Sequence, residues 1–128
     1  MANFNKVIFV GRLTENPRLS YTSSGVAVGG FRLAVNESFT NRNGDKKETC
    51  TFIPVVIWDK LAEVVKEYQV KGSEVLVEGR LRTNSWQDEQ GNNRSRLEVH
   101  ANRVEFIGPP RKKGTAEPPS EGEATSEV

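Results

Sequence analysis

The sequence predicts an all-β chain folded as a small closed barrel with a single helix, and three observations predict it. Apolar and polar residues alternate along five segments, the period turns helical in only one place, and clusters of Gly, Asn, Asp and Pro separate the segments. At 128 residues, 35% hydrophobic and 27% charged, the chain supports one domain with a modest core rather than two.

The first strand is Asn5 to Leu13, a β-branched and aromatic run that ends in the turn cluster Thr14-Glu15-Asn16-Pro17. The second covers Val26 to Phe39, where Phe31, Leu33 and Val35 alternate with Arg32, Ala34 and Asn36, so that one face is buried. Within it, Gly29-Gly30 predicts a bulge or a sharp bend, as a tightly coiled barrel requires. Asn41 to Asp45 reads as a hairpin loop with Gly44 in its left-handed position. The third strand, Thr49 to Trp58, contains Pro54, which has no N–H for a ladder and so predicts an edge or bulged position.

From Lys60 to Val70 the apolar residues Leu61, Val64, Val65 and Tyr68 fall at i, i+3, i+4 and i+7. That spacing makes one short amphipathic helix, with Asp59 as its N-cap and Gly72 as its stop. Glu74 to Arg82 returns to alternation as the fourth strand and runs into Trp86 at the start of a polar loop, Gln87 to Asn93. Ser95 to Ile107 is the fifth strand. Three strands, a helix and two strands make the element order of the OB-fold, a five-stranded Greek-key barrel with its helix between strands three and four. Residues 1–108 form this domain. Residues 109–128 hold prolines, small polar residues and four glutamates, with Val128 as the only large apolar side chain, and are expected to be a disordered acidic tail.

The formal net charge of +1 conceals a split, because residues 1–114 carry +5 and residues 115–128 carry −4. Placement of the cations therefore says more than their number. Trp86 is flanked by Asn84, Ser85, Gln87 and Asp88, with Arg80 and Arg82 just before it. A tryptophan in such a setting is a surface platform, and flat aromatic faces beside guanidinium groups suit unpaired bases joined by phosphates. Phe39, Phe52 and Trp58 are the other aromatics near strand ends or loops. On the third strand Ile53, Val55 and Ile57 share one parity and fill a barrel, leaving Phe52 and Trp58 for the outer face if no bulge at Pro54 shifts the register. Phe4, Phe9, Phe31 and Phe106 are assigned to core or strand packing.

Catalysis finds little support. His100 is the single histidine, and no nucleophile arrangement or phosphate-cradling glycine loop accompanies it. No metal cluster or cofactor site is visible. Cys50 is the single cysteine, which excludes an internal disulfide and reads as a buried strand thiol. No apolar run approaches the ~18 residues of a membrane helix, and the N-terminal residues lack the sections of a signal peptide, so a cytoplasmic location is expected.

Over roughly residues 3–107 the chain resembles the bacterial-type single-stranded DNA-binding proteins. The resemblance rests on Asn5-Lys-Val-Ile-Phe-Val-Gly-Arg-Leu13, on Leu33-Ala34 through Glu37-Ser-Phe39, and on Lys60-Leu-Ala-Glu63 with Tyr68 and Lys71-Gly-Ser73. It continues through Val77-Glu-Gly-Arg-Leu-Arg-Thr83, Trp86, Asp88 and Gly91. It implies that Phe39, Phe52, Trp58 and Trp86 stack on bases and that Lys6, Arg42, Lys60, Lys71, Arg82 and Arg94 contact phosphates. It also implies a homotetramer that coats single-stranded DNA during replication, recombination and repair, without enzymatic activity. There are two departures. Pro54 stands where some members carry a basic residue. The chain ends Ala124-Thr-Ser-Glu-Val128 rather than in the acidic tip that docks replication and repair enzymes, so recruitment through that tip is not expected. The residues leave two rivals open: an OB-fold protein that prefers RNA, told apart by the 2′-hydroxyl, and a protein-interaction subunit with the same aromatics in a protein interface.

Overall fold

The computed structural model describes residues 2–108. Its elements are β1 (Val7–Leu13), β2 (Arg18–Tyr21), β3 (Ala27–Thr40), β4 (Lys46–Trp58), α1 (Asp59–Tyr68), β5 (Glu74–Gln87) and β6 (Asn93–Ile107). The sheet order is β1-β5-β6-β4-β3-β2, and it closes because β1 also pairs with β3, Arg12 opposite Ala34 and Leu13 opposite Leu33. Five strands thus form the expected OB-fold barrel, with the helix between its third and fourth strands. The ladders are antiparallel except β4 with β6, where Val55 lies opposite Val99 and Val56 opposite His100. The acidic tail expected for residues 109–128 lies outside the described residues.

Alternation builds the core directly. Leu13, Phe31, Leu33, Ile53, Val55, Ile57, Val75, Val77 and Val99 point inward, and Ala62 and Val65 of α1 close one end. Gly11 and Gly79 let strands cross, since a Cβ at either would run into the backbone oxygen of Ala34 or of His100. Residues 36–51 and 81–97 carry the two long hairpins out beyond the barrel, where every side chain except Asn41 and Asp88 is exposed.

Several expectations need correction. β2 follows the Thr14–Pro17 turn and pairs Arg18 to Tyr21 with Gly30 to Ala27; at four residues, with only Leu19 and Tyr21 alternating, its signal is too short to stand out. Gly29 and Gly30 form no bulge. They pair regularly with β2 and β4, and a Cβ on Gly29 would lie 2.7 Å from the Arg18 carbonyl oxygen and 3.4 Å from Ala62 Cβ, so the glycines permit close packing instead. The register shift falls at Glu78 and Gly79. Pro54 sits opposite Arg32 with no break in the β3–β4 register, and β6 reaches β4 only at Val55 and Val56, so Pro54 faces an open edge. Asp59 is not the N-cap. It is the first helical residue, with φ of 59°, and no side chain caps that end. Tyr68 is exposed, and Ala62 takes its place on the buried face. Cys50 is exposed because it lies on the β3–β4 hairpin beyond the barrel. Of the phenylalanines assigned to packing, Phe31 is buried and Phe9 lies against the core, whereas Phe4 and Phe106 are exposed. Finally, Trp86 belongs to β5 rather than to a loop, because the β5–β6 ladder continues through Gln87 opposite Asn93.

Candidate nucleic-acid interface

The outer face is set by strand register. On β4 it carries Phe52 and Trp58; on β5, Arg80, Arg82, Asn84 and Trp86; on β6, Arg94, Arg96, Glu98 and His100. Residues of the last two strands stand opposite one another as Arg80 to His100, Arg82 to Glu98, Asn84 to Arg96 and Trp86 to Arg94. Val56 opposite His100 brings β4 into the same face. The intact register around Pro54 therefore puts Phe52 and Trp58 outward and Ile53, Val55 and Ile57 inward.

Two clefts gather most of the chemistry. One, of about 330 Å³, is lined by Trp58, Arg80, Arg82, His100, Ala101 and Asn102. The Trp58 and His100 rings lie 6.4 Å apart, tilted by 31°. The second, of about 510 Å³, is lined by Trp86 and Arg94 with Ser85, Asn93 and Ser95. The two sites stand at opposite ends of the Arg80 to Trp86 run, about 20 Å at the usual strand rise. Aromatic faces, cations and shallow polar walls in this order can hold flat rings joined by anions.

Between the clefts sits Glu98, only 5% exposed. Its Oε2 accepts from Asn84 at 3.1 Å and from Nε and Nη2 of Arg96 at 3.2 Å each, while Oε1 lies 3.3 Å from His100 Nε2. A carboxylate here repels a phosphate unless its charge is taken up, and Arg96 takes it up.

The hairpin tips are preorganised in the same way. Asn41 Oδ1 accepts from the N–H groups of Asn43 and Asp45, and Asp88 Oδ1 accepts from those of Gln90 and Asn92, with Gly44 and Gly91 at positive φ. Asp88 Oδ2 also accepts from Arg94 Nε at 3.0 Å. The Asn92 N–H, then the Arg94 guanidinium and the Gln90 N–H, hold the Asp88 carboxyl below its ordinary range.

The remaining expected residues are more scattered. Phe39 stands opposite Lys47 on the other face of the β3–β4 hairpin from Phe52. Arg42 is exposed at that hairpin's tip, and Lys60 follows Trp58 in the first turn of α1. Lys6 lies 2.6 Å from Glu78, whose carboxyl is held low mainly by that bond. Lys71 sits beyond the far end of α1, where its N–H bonds Asn16 and the Gly72 N–H bonds Leu13, away from both clefts. Sequence reasoning set Arg80 beside Trp86, whereas it lines the Trp58 cleft, and passed over Glu98 and His100 as site residues. Their signal is the β5–β6 register, which needs the bulge at Gly79 to be known.

The description "Single-strand binding protein family" matches residues 4–107. Among curated relatives, single-stranded DNA-binding protein 2 of Listeria monocytogenes is 46% identical over 105 residues, 82% of this chain and 64% of the relative. Single-stranded DNA-binding protein A of Bacillus subtilis is 42% identical, covering 87% of this chain and 63% of the relative. The chain thus spans a little under two thirds of the length of these relatives. In the Caldanaerobacter subterraneus protein of the same description, the match is 41% identical and covers 91% of this chain and 77% of the relative. A deletion mutant of the single-stranded DNA binding protein from Thermus aquaticus superposes with a TM-score of 0.74 at 28% identity, covering 82% of this chain and 51% of that one. A Plasmodium falciparum SSB complex with ssDNA shares the fold at a TM-score of 0.79 and 24% identity, over 84% of this chain and 98% of that one. By its matched domain and its relatives, this chain belongs to the single-strand binding protein family.

Proposed function

We propose that the chain is a sequence-tolerant binder of single-stranded DNA that coats and protects exposed strands in replication, recombination and repair. The carrying observation is that Phe39, Phe52, Trp58 and Trp86 are 51%, 55%, 41% and 42% exposed, two of them in clefts shared with arginines. Such rings contribute nothing to the core and stack on any base. Arg42, Lys60, Arg82 and Arg94 then track phosphates beside them, with Lys6 and Lys71 at the margins of the path. Binding is its task, not catalysis, and among the described residues no three His, Cys, Asp or Glu side chains group as a metal site. Residues 1–108 are the binding unit. The described residues hold no helix long and apolar enough to cross a membrane.

Assembly as a homotetramer fits the unpaired part of β1. Its pairing with β3 is confined to Arg12 and Leu13, and Ile8 and Val10 on the outer face are both more than half exposed. Titration with poly-dT, poly-U and duplex DNA, followed by the emission of Trp58 and Trp86, tests the function. Poly-dT should quench strongly and duplex weakly. Equal or tighter binding of poly-U moves the function to RNA, and absence of quenching by any polymer returns these rings to a protein interface.

A further inference from the structure

Phe4 is a ring that the fold does not use. It is 92% exposed, so its apolar surface stays in water and adds nothing to the barrel core. The backbone next to it is nonetheless fixed. Asn5 Nδ2 donates to the Leu81 carbonyl at 2.8 Å, and its Oδ1 accepts from the Leu81 N–H at 3.0 Å, so the Asn5 side chain imitates one rung of a ladder. This anchor stands Phe4 over β5, where Asn3, Phe4, Asn5, Arg80, Leu81 and Arg82 line an open cleft of about 480 Å³.

Arg80 and Arg82 also line the cleft of Trp58 and His100. The two clefts therefore share one pair of guanidinium groups. A chain of phosphates running over those cations reaches Trp58 on one side and Phe4 on the other.

We propose that Phe4 is a further base-stacking residue, placed so that a strand leaving Trp58 crosses Arg80 and Arg82 and lays its next accessible base on the phenyl ring. The proposal rests on the single-strand reading above. A polynucleotide suits the cleft better than a second copy of the chain, because its lining has two cations and no carboxylate. Phosphodiesters complement that charge, whereas the arginine-bearing outer face of another copy repels it.

The test places an indole at this position by Phe4→Trp, in a chain whose own tryptophans are exchanged by Trp58→Phe and Trp86→Phe to keep stacking rings there. Poly-dT should quench this emission and saturate at the same nucleotide-to-protein ratio as the unmodified protein. In the otherwise unmodified chain, Phe4→Ala should weaken poly-dT binding about 5- to 150-fold, the loss of one stack, with an unchanged melting temperature. An emission insensitive to DNA while the natural tryptophans are quenched overturns the role of Phe4 and leaves the binding function standing. Emission that responds to protein dilution but not to DNA overturns it too, and assigns the ring to an interface between copies. If the unmodified protein is not quenched, the single-strand reading itself fails.

Discussion

The rings of Trp58 and His100 face each other at 6.4 Å across the β4–β6 junction, with 31° between their planes. His100 Nε2 lies in turn 3.3 Å from Glu98 Oε1, so the neighbour of Trp58 is itself held in place. Trp58→Ala should weaken poly-dT binding by ~1–3 kcal/mol, the usual worth of one stack in proteins that coat single strands. Its melting temperature should change little, because the ring is 41% exposed. Calorimetry and fluorescence anisotropy on the same variant check both halves.

Glu98 is the opposite case, buried and satisfied by three neighbours. Glu98→Ala removes the acceptor of Arg96, Asn84 and His100 and should cost ~1.5–3 kcal/mol of stability, the range for hydrogen bonds to a charged group. Urea unfolding measures it. A loss below ~0.5 kcal/mol would mean that Arg96 and Asn84 reach water without penalty.

Acid should act through Asp88. Its carboxyl is held below the ordinary 3.8 by the Asn92 N–H and Arg94, so the unfolded chain takes up the proton more readily than the folded one. The stabilisation is complete above 3.8 and is lost as pH falls through the lower folded value. Asp88→Asn keeps an acceptor for the turn N–H groups but not the charge beside Arg94. The melting temperatures of the two proteins should therefore differ most near neutral pH and converge in acid. A gap that persists in acid assigns the effect to the turn rather than to ionisation.

Much of this fold is legible because the barrel interior enforces strict alternation. Val75 and Val77, or Ile53, Val55 and Ile57, announce their inward face wherever a strand lies over the core. Beyond the core that signal disappears. Thr83, Asn84 and Ser85 look like a loop, yet the β5–β6 ladder runs through them because backbone pairing needs no apolar side chain once a hairpin is started. Cys50 was misplaced for the same reason, since a thiol in a strand is buried only if the strand is. The aromatics Trp58 and Trp86 were readable by their polar or cationic neighbours. His100 was not, because its partner Trp58 is 42 residues away and meets it only through the parallel β4–β6 pairing.

Assembly can be tested at Ile8, which stands opposite Glu78 on the outer face. Ile8→Lys sets a cation against that carboxylate, so the ladder of a single barrel tolerates it, while burial of the new charge against another copy is costly. Light scattering should show four chains in the unmodified protein and fewer in the variant. A variant that stays tetrameric places the interface elsewhere.

Salt dependence separates the cations that meet phosphate from those that serve the fold. With roughly five phosphate contacts on a single strand, log K should fall against log salt with a slope of about −3.5. Arg82 lies in the Trp58 cleft and pairs with no carboxylate in the ion pairs of the described residues, so Arg82→Ala should flatten the slope by about 0.7, one contact's share. Lys6 is held 2.6 Å from Glu78 and Arg94 3.0 Å from Asp88. Each must loosen that bond to meet a phosphate, so Lys6→Ala and Arg94→Ala should flatten the slope by less than Arg82→Ala does. The comparison is internal to one set of titrations over the same salt series. If Lys6→Ala changes the slope as much as Arg82→Ala, the Glu78 pair opens freely and the phosphate path extends across β1.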